Sequence, residues 1–477
     1  MKRQFAVNVV LLVLINLLIK PVYIFFIEAK VQDVLGHVEY GKYFTYLNFT
    51  LLFQFLADFG TQSWNAQHLS KNRKDGSTIF SGIFVLRLLL GIIYVAVVCF
   101  FSWLTDWFDM LLVFYLSVQV FLSATLVFVR SSITALGYYK TDNLLSVADR
   151  ILMIAGLGWL LYLMPERYFS VADFAMIQMI ALFSANVMAV FILIWQGGIV
   201  LVKPDFSTWM SVLKKSFPYM LIALLMMAYN KLDGVLLGTI SASGTEAAGI
   251  YAAAFRIYDA MNMMGYLMAA LLLPMFASLI GENKHPGHLA RLAFQMMWTV
   301  SLPVIAIILI FPGQILDAIY TMPQDQAVGS LRWLSSAFIM INIGYIYGTL
   351  LVASDQGGRL VGIFAIGLII NLLGNILLIP LAGPTGAAMA CWITQTFVAA
   401  GQFYIARNNM HLKIVSHDIV KGAIFTVLTV SSLIIFAQLE IPWYFIALIS
   451  LLISILLSHL TGWLNWSSLY TLKNNPY

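Results

Sequence analysis

The sequence predicts an all-α integral membrane protein of about 14 transmembrane helices. Three observations carry that prediction. The 477 residues are 61% hydrophobic and only 10% charged, with mean hydropathy +0.90, whereas soluble domains carry about 25% charged residues. Apolar runs of about 20 residues, the length that crosses a bilayer, recur fourteen times along the chain. Lysine and arginine segregate into alternate connecting segments, as the positive-inside rule requires of a multi-pass chain.

The runs lie near 7–27, 38–60, 79–103, 109–130, 146–164, 172–196, 216–239, 249–279, 294–312, 330–353, 360–380, 384–406, 419–438 and 442–463. The first run lacks a small-residue cleavage site and continues past 20 apolar residues, so it reads as a retained helix and not a signal peptide. The eighth is long and carries Pro274 near its end, which predicts tilt or a kink. With the N-terminus placed in the cytoplasm, seventeen of the 26 lysines and arginines fall inside. Three fall outside (Lys30, Lys42 and Arg167) and six within spans. A single missed helix would invert every later loop and destroy that bias. No connecting segment exceeds about 20 residues, so no soluble domain is expected on either face. The basic residues behind the net charge of +5 are dispersed, which excludes a nucleic-acid partner.

An internal repeat organises the spans. Gly36, Gly41 and Tyr43 recur in register as Gly244, Gly249 and Tyr251, an offset of 208. Each copy lies between the first and second helices of a half. The predicted organisation is an N-terminal six-helix lobe at 1–196 and a cytoplasmic linker at 197–215. A C-terminal six-helix lobe follows at 216–406, then two additional helices at 407–477. Six is even, so the second lobe enters the membrane as the first does. That gives two bundles related by a pseudo-two-fold normal to the membrane, with a substrate cavity expected between them.

Charges inside the spans nominate the site. One charge at the centre of a membrane helix costs about 2.5–3.5 kcal/mol on insertion scales. Lys20 and Lys231 each sit roughly 20 Å from the cytoplasmic start of a span. Arg256 and Arg87 add cations at other depths, so the four form a ladder suited to an anionic head group. Pro21 loosens the backbone beside Lys20. Asp233 and Asp259 are candidates for ion or proton coupling. Lys231 and Asp233 are two residues apart and point to different sides of a helix. Arg150 and Arg332 lie near span ends, and Arg150 neighbours Asp149. Asp58, near the inner end of the second span, reads as a helix-terminal or interface residue. Asn8, Asn16 and Asn230 read as packing residues.

The sequence carries no phosphate-binding loop, no H-E-x-x-H and no G-x-S-x-G motif. Neither an enzyme active site, a metal nor a cofactor is expected. His285 and His288 lie in a short loop and read as solvated. Cys99 and Cys391, far apart in apolar runs, read as packing residues.

Three stretches resemble one family. EYGKYFTYLNFTLLFQFLADFGTQSWNAQHLSKNR resembles the second-helix region of Wzx-type polysaccharide flippases. FPYMLIALLMMAYNKLDGVLLGTISASGTEAAGIYAAAFRIYD resembles their seventh and eighth helices, and LIINLLGNILLIPLAGPTGAAMACWITQ their eleventh-to-twelfth turn. The resemblance covers most of 1–410 and extends to a superfamily, the MOP exporters, that includes MATE multidrug exporters and the lipid II flippase MurJ. It implies a bilobed fold with a central cationic cavity. It implies export of an undecaprenyl-diphosphate-linked oligosaccharide, such as an O-antigen unit, to the outer leaflet of the bacterial inner membrane. The lipid-linked oligosaccharide and membrane lipid are then the partners, with polysaccharide polymerase and chain-length machinery as possible others. The cations Lys20, Lys231, Arg256 and Arg87 are nominated by depth and charge, not by alignment to that family. The alternatives are a cation-coupled drug exporter, whose site should be acidic and aromatic, and a lipid II flippase. A polymerase or ligase would need a long external loop.

Overall fold

The computed structural model describes residues 15–16, 18–62, 76–105, 109–164, 169–195, 206–322, 325–412, 416–439 and 441–464, without the side chains of 76–79, 135 and 206–208. Among the described residues every regular element is helical. A π-helical turn, Tyr23–Glu28, leads into α1 (Ala29–Leu52) and the short α2 (Gln54–Asp58). Then come α3 (Gly76–Thr105), α4 (Met110–Ala135), α5 (Tyr139–Gly158) with a second π-helical turn Trp159–Leu163, and α6 (Val171–Trp195). They are followed by α7 (Phe206–Ile240), α8 (Thr245–Gly281), α9 (Gly287–Ile310) and α10 (Pro312–Ile319). The chain ends with α11 (Ala327–Ala353), α12 (Gly357–Asn409), α13 (Ser416–Ala437) and α14 (Trp443–Leu460). Eleven of the described helices are long and apolar enough to cross a membrane, so the chain is an all-α membrane protein as expected. The first predicted run lies mostly outside the described residues. Those at 360–380 and 384–406 are the two legs of α12, parted at Gly383 (φ 52, ψ −128). Gly367 faces Val398, Gly374 faces Ala390 and Gly401 faces Ile363, which makes the legs an antiparallel hairpin. Helix α8 continues through Pro274.

The helices pack as membrane helices do, with small residues inward and large apolar ones outward. On α6, Ala181, Ala185 and Ala189 are buried, while Phe183, Val187 and Phe191 are exposed. Lipid solvates the large side chains as well as protein would, and small ones let backbones approach. Helix ends are capped locally. Asp109 accepts from the Leu111 and Leu112 amides at 2.9 and 3.3 Å. Ser170 and Asp173 bond each other's backbone N–H at 3.0 and 3.2 Å, a capping box.

The contacts divide the chain into two compact units, Met1–Ala252 and Ala253–Tyr477. In the first, the two glycine copies meet. Gly36 and Gly244 both take positive φ, 74° and 55°, to turn the chain between helices. Five residues on, a Cβ at Gly41 would collide with the Thr245 carbonyl, and one at Gly249 with the His37 carbonyl. Residues 37 and 245 are also 208 apart. The contact is thus reciprocal, as a local two-fold axis requires. The Gln32 side-chain amide adds a 2.9 Å hydrogen bond to the Gly249 carbonyl. Residues 206–215, within the predicted linker, are helical and continuous with α7.

In the second unit, α13 and α14 are tied to α9. Ser454 donates to the Thr299 carbonyl at 2.7 Å, and the Trp298 indole donates to Thr426 at 3.0 Å. Helix α10, which the apolar runs did not predict, buries Ile315 and Leu316.

Because backbone stands where a Cβ would go, Gly41→Ala and Gly249→Ala should each destabilise the protein by about 1–3 kcal/mol. Gly82→Ala, where nothing lies within 4 Å of the added carbon, should be tolerated. Thermal unfolding of the detergent-solubilised proteins measures the difference.

Candidate functional site

Lys20 and Pro21 stand directly before the π-helical turn. Proline cannot donate its own helical hydrogen bond, and the helix beyond it widens, with the Ala29 amide reaching back to Ile24. Such widened turns occur often at functional sites. This one turns Tyr23, Ile27 and Glu28 into the protein. Glu28, 4% exposed, accepts from the Tyr40 hydroxyl at 3.3 Å. Tyr43 donates to Gln178 at 2.9 Å, and Gln178 donates to the Tyr23 hydroxyl at 2.8 Å. The Arg150 guanidinium lies 4.8 Å over the Tyr23 ring, with its Nε 3.6 Å from Asp149. One helical turn below Lys20, Asn16 donates to Ser146 at 2.9 Å. The result is a buried polar network joining the first helix to α1, α5 and α6. Sequence reasoning singled out Arg150 and Asn16 but missed Glu28, Tyr23, Tyr40 and Gln178. A lone Glu in an apolar stretch was the available signal.

Arg87 sits differently from the other nominated cations. It is fully buried. Its Nη1 donates to Asp58 and to Thr61 (2.7 Å), and its Nη2 to the Ala124 carbonyl at 3.0 Å. Its guanidinium lies 4.6 Å over Phe128, and its Nε finds no acceptor among the described residues. α2 ends here because Phe59 and Gly60 take positive φ, which leaves Asp58 at the helix end. Its carboxylate also accepts from the Gln62 amide at 3.3 Å. Arg87 is therefore the cation of a packed internal pair and presents no surface to a cavity. Asp58 holds the interface position expected of it.

Lys20 and Lys231 are both half-buried. The glycine repeat fixes their relation. At an offset of 208, Lys231 corresponds to Tyr23 and Lys20 to Ala228. The two lysines thus differ by three residues in register and are neighbours in level, not repeat equivalents. Asp233, 2% exposed, accepts from Tyr251 at 3.3 Å; Tyr251 is the repeat's second tyrosine. Arg256 is half-buried and Asp259 exposed, both on α8 in the second unit. Among the described residues no three His, Cys, Asp or Glu side chains cluster as metal ligands would.

The helical architecture, with charged side chains held inside apolar helices, defines a polytopic membrane protein. A family model described as polysaccharide biosynthesis protein matches residues 5–280. The chain belongs to that family. Among solved structures, a lipid II flippase MurJ in an inward closed conformation superposes with TM-score 0.73 at 13% identity, over 97% of this chain and 99% of that one. An inward-facing multidrug resistance MATE transporter of the MOP superfamily superposes with TM-score 0.64 at 15% identity, over 82% of this chain and 94% of that one. A MATE transporter in its outward-facing conformation gives 0.61 at 16% identity, over 85% and 95%. No curated protein matches the sequence significantly.

Removing one partner of a buried ion pair typically costs about 3–5 kcal/mol. Arg87→Met should therefore sharply reduce the folded, monodisperse yield, and Asp58→Asn in the same chain should recover part of it. Fluorescence-detected size-exclusion chromatography of the single and double variants reads this coupling.

Proposed function

We propose that this protein is a flippase for an undecaprenyl-diphosphate-linked oligosaccharide, a repeat unit of O-antigen or another surface polysaccharide. It moves the unit from the cytoplasmic to the outer leaflet of the bacterial inner membrane by alternating access between lobes 1–196 and 216–406. The observation that carries the reading is the pair Lys20 and Lys231, cations held half-buried in apolar helices of the family-matched region. A phosphate-bearing substrate is opposite in charge to such lysines, and ionisable groups inside a membrane mark substrate pathways. Arg256 extends the cationic path. The seventeen-to-three division of basic residues supports a cytoplasmic N-terminus. Asp233 is the favoured coupling carboxylate, because it is buried and accepts from the Tyr251 hydroxyl; Asp259 is exposed. The polymerase and chain-length machinery receive the product on the outer side. The protein transports and does not catalyse bond chemistry.

Lys20→Ala and Lys231→Ala, singly and together, test the reading in cells lacking the native gene, at matched membrane abundance. A hydrogen bond to a charged group contributes about 1.5–3 kcal/mol, so each loss should lower surface polysaccharide roughly tenfold or more. Lipid-linked repeat units should accumulate facing the cytoplasm. Full export by the double variant would sink the proposal, and drug sensitivity in place of a polysaccharide defect would favour an exporter.

A further inference from the structure

The second compact unit contains a cavity of about 760 Å³, remote in sequence from the nominated lysines. That volume lies in the range of small-molecule sites, roughly 300–1,000 Å³. Its walls come from α9, α11, α12 and α13, with Trp463 completing the lining. Part of the lining is apolar and aromatic, with Phe294, Met340, Ile343, Tyr347 and Phe403. Alanines 290, 399 and 400 leave the space that larger residues would fill.

The mouth is of opposite character. Gly287, the first residue of the 24-residue α9, lies there, so a helix N-terminus with its positive dipole end faces the opening. His285, His288, His411 and Arg291 surround it, with Asp418 the acidic member, paired to Arg291 at 2.9 Å. His285 bridges two loops: its Nδ1 accepts from the Gly287 amide at 3.1 Å, and its Nε2 donates to the Met410 carbonyl at 2.7 Å. His411 holds a positive φ of 47°, a conformation that costs a non-glycine residue energy and tends to persist at functional sites.

Trp463 is fixed within the cavity wall. It is 5% exposed, stacks on Phe425 with centroids 6.0 Å apart, and sits where a Cβ on Gly422 would come within 2.6 Å of its ring. Its indole N–H is buried with no acceptor among the described residues. Ile419 both lines the cavity and is 60% exposed, so the lining reaches the protein surface at α13.

We infer that this cavity binds an amphiphile with an apolar chain and an anionic phosphate head. The chain fills the aromatic slot. The phosphate oxygens accept from the α9 N-terminus, Arg291 and the imidazoles of His288 and His411. Two sources share that chemistry, an anionic membrane phospholipid and a polyprenyl phosphate. The inference does not depend on the transport reading.

Native mass spectrometry of the full-length protein, delipidated in neutral detergent, tests it. The lipids added are phosphatidylglycerol, a polyprenyl phosphate, phosphatidylcholine and a fatty acid. The expected result is retention of one phosphatidylglycerol or one polyprenyl phosphate, whichever is the natural source, with phosphatidylcholine and fatty acid lost. Ala400→Phe, which fills the slot, should lower that retention at least tenfold. Should that variant not fold, Arg291→Gln with His288→Ala should erase the preference for the phosphate lipid over phosphatidylcholine. Equal retention of all four lipids, or undiminished retention by folded Ala400→Phe, would overturn the inference.

Discussion

Hydrocarbon offers neither hydrogen-bond partners nor a hydrophobic reward for bringing helices together. Every feature of this fold answers one of those two deficits. The backbone closes its own hydrogen bonds in long helices, and the helices associate through close approach and internal polar contacts. The reciprocal glycine contact is the clearest case of close approach. Backbone meets backbone at Gly41 and Gly249 because neither carries a side chain, and α1 and the start of α8 lock together there. The α12 hairpin uses the same device, with Gly367, Gly374 and Gly401 each facing a side chain of the other leg.

The polar contacts divide by whether a charge is enclosed. Arg87 has acceptors for both terminal nitrogens and a ring beneath it; its role is to hold α2, α3 and α4. Arg150 and Glu28 belong to a network of tyrosines and Gln178 that secures the π-helical turn. Lys20 stands immediately before that turn. The network thus supports the lysine's position, since the helix carrying it is anchored on both sides, at Asn16 and at Tyr23.

Much of the fold was legible in the sequence, because a span is a matter of length and apolarity. The runs at 172–196, 330–353 and 419–438 fall within about three residues of α6, α11 and α13. The repeat was legible because glycine at a positive φ and glycine at a backbone contact leave few substitutes. Helix α10 was not, since eight residues are too few to stand out beside an apolar span. Neither π-helical turn could be read, because widening a turn changes no composition. Depth and charge placed Arg87 among the cavity cations, but depth does not say which way a side chain faces. Its partner Asp58 lies 29 residues earlier in sequence, a pairing that only the packed helices bring about. The network around Glu28 escaped for the same reason, being built from four separate segments.

The register between the lysines alters what the proposed site asks of its ligand. Two cations at repeat-equivalent positions would present a symmetric pair about the local axis. Lys20 and Lys231 are instead three residues out of register, close to one helical turn. The π-helical turn occupies the interval between Lys20 and Gly36; its counterpart between Lys231 and Gly244 is α-helical to Ile240. The first half has thus departed from the second at the level where a substrate would be held. A lipid pyrophosphate carrying a glycan has distinct ends, and it requires no symmetry of the groups that hold it. Staggered cations can engage successive phosphates or acidic sugars, which a matched pair at one level cannot do. The repeat builds the scaffold, and its local breakdown at Pro21 leaves the two lysines staggered, an arrangement that the proposed substrate accommodates.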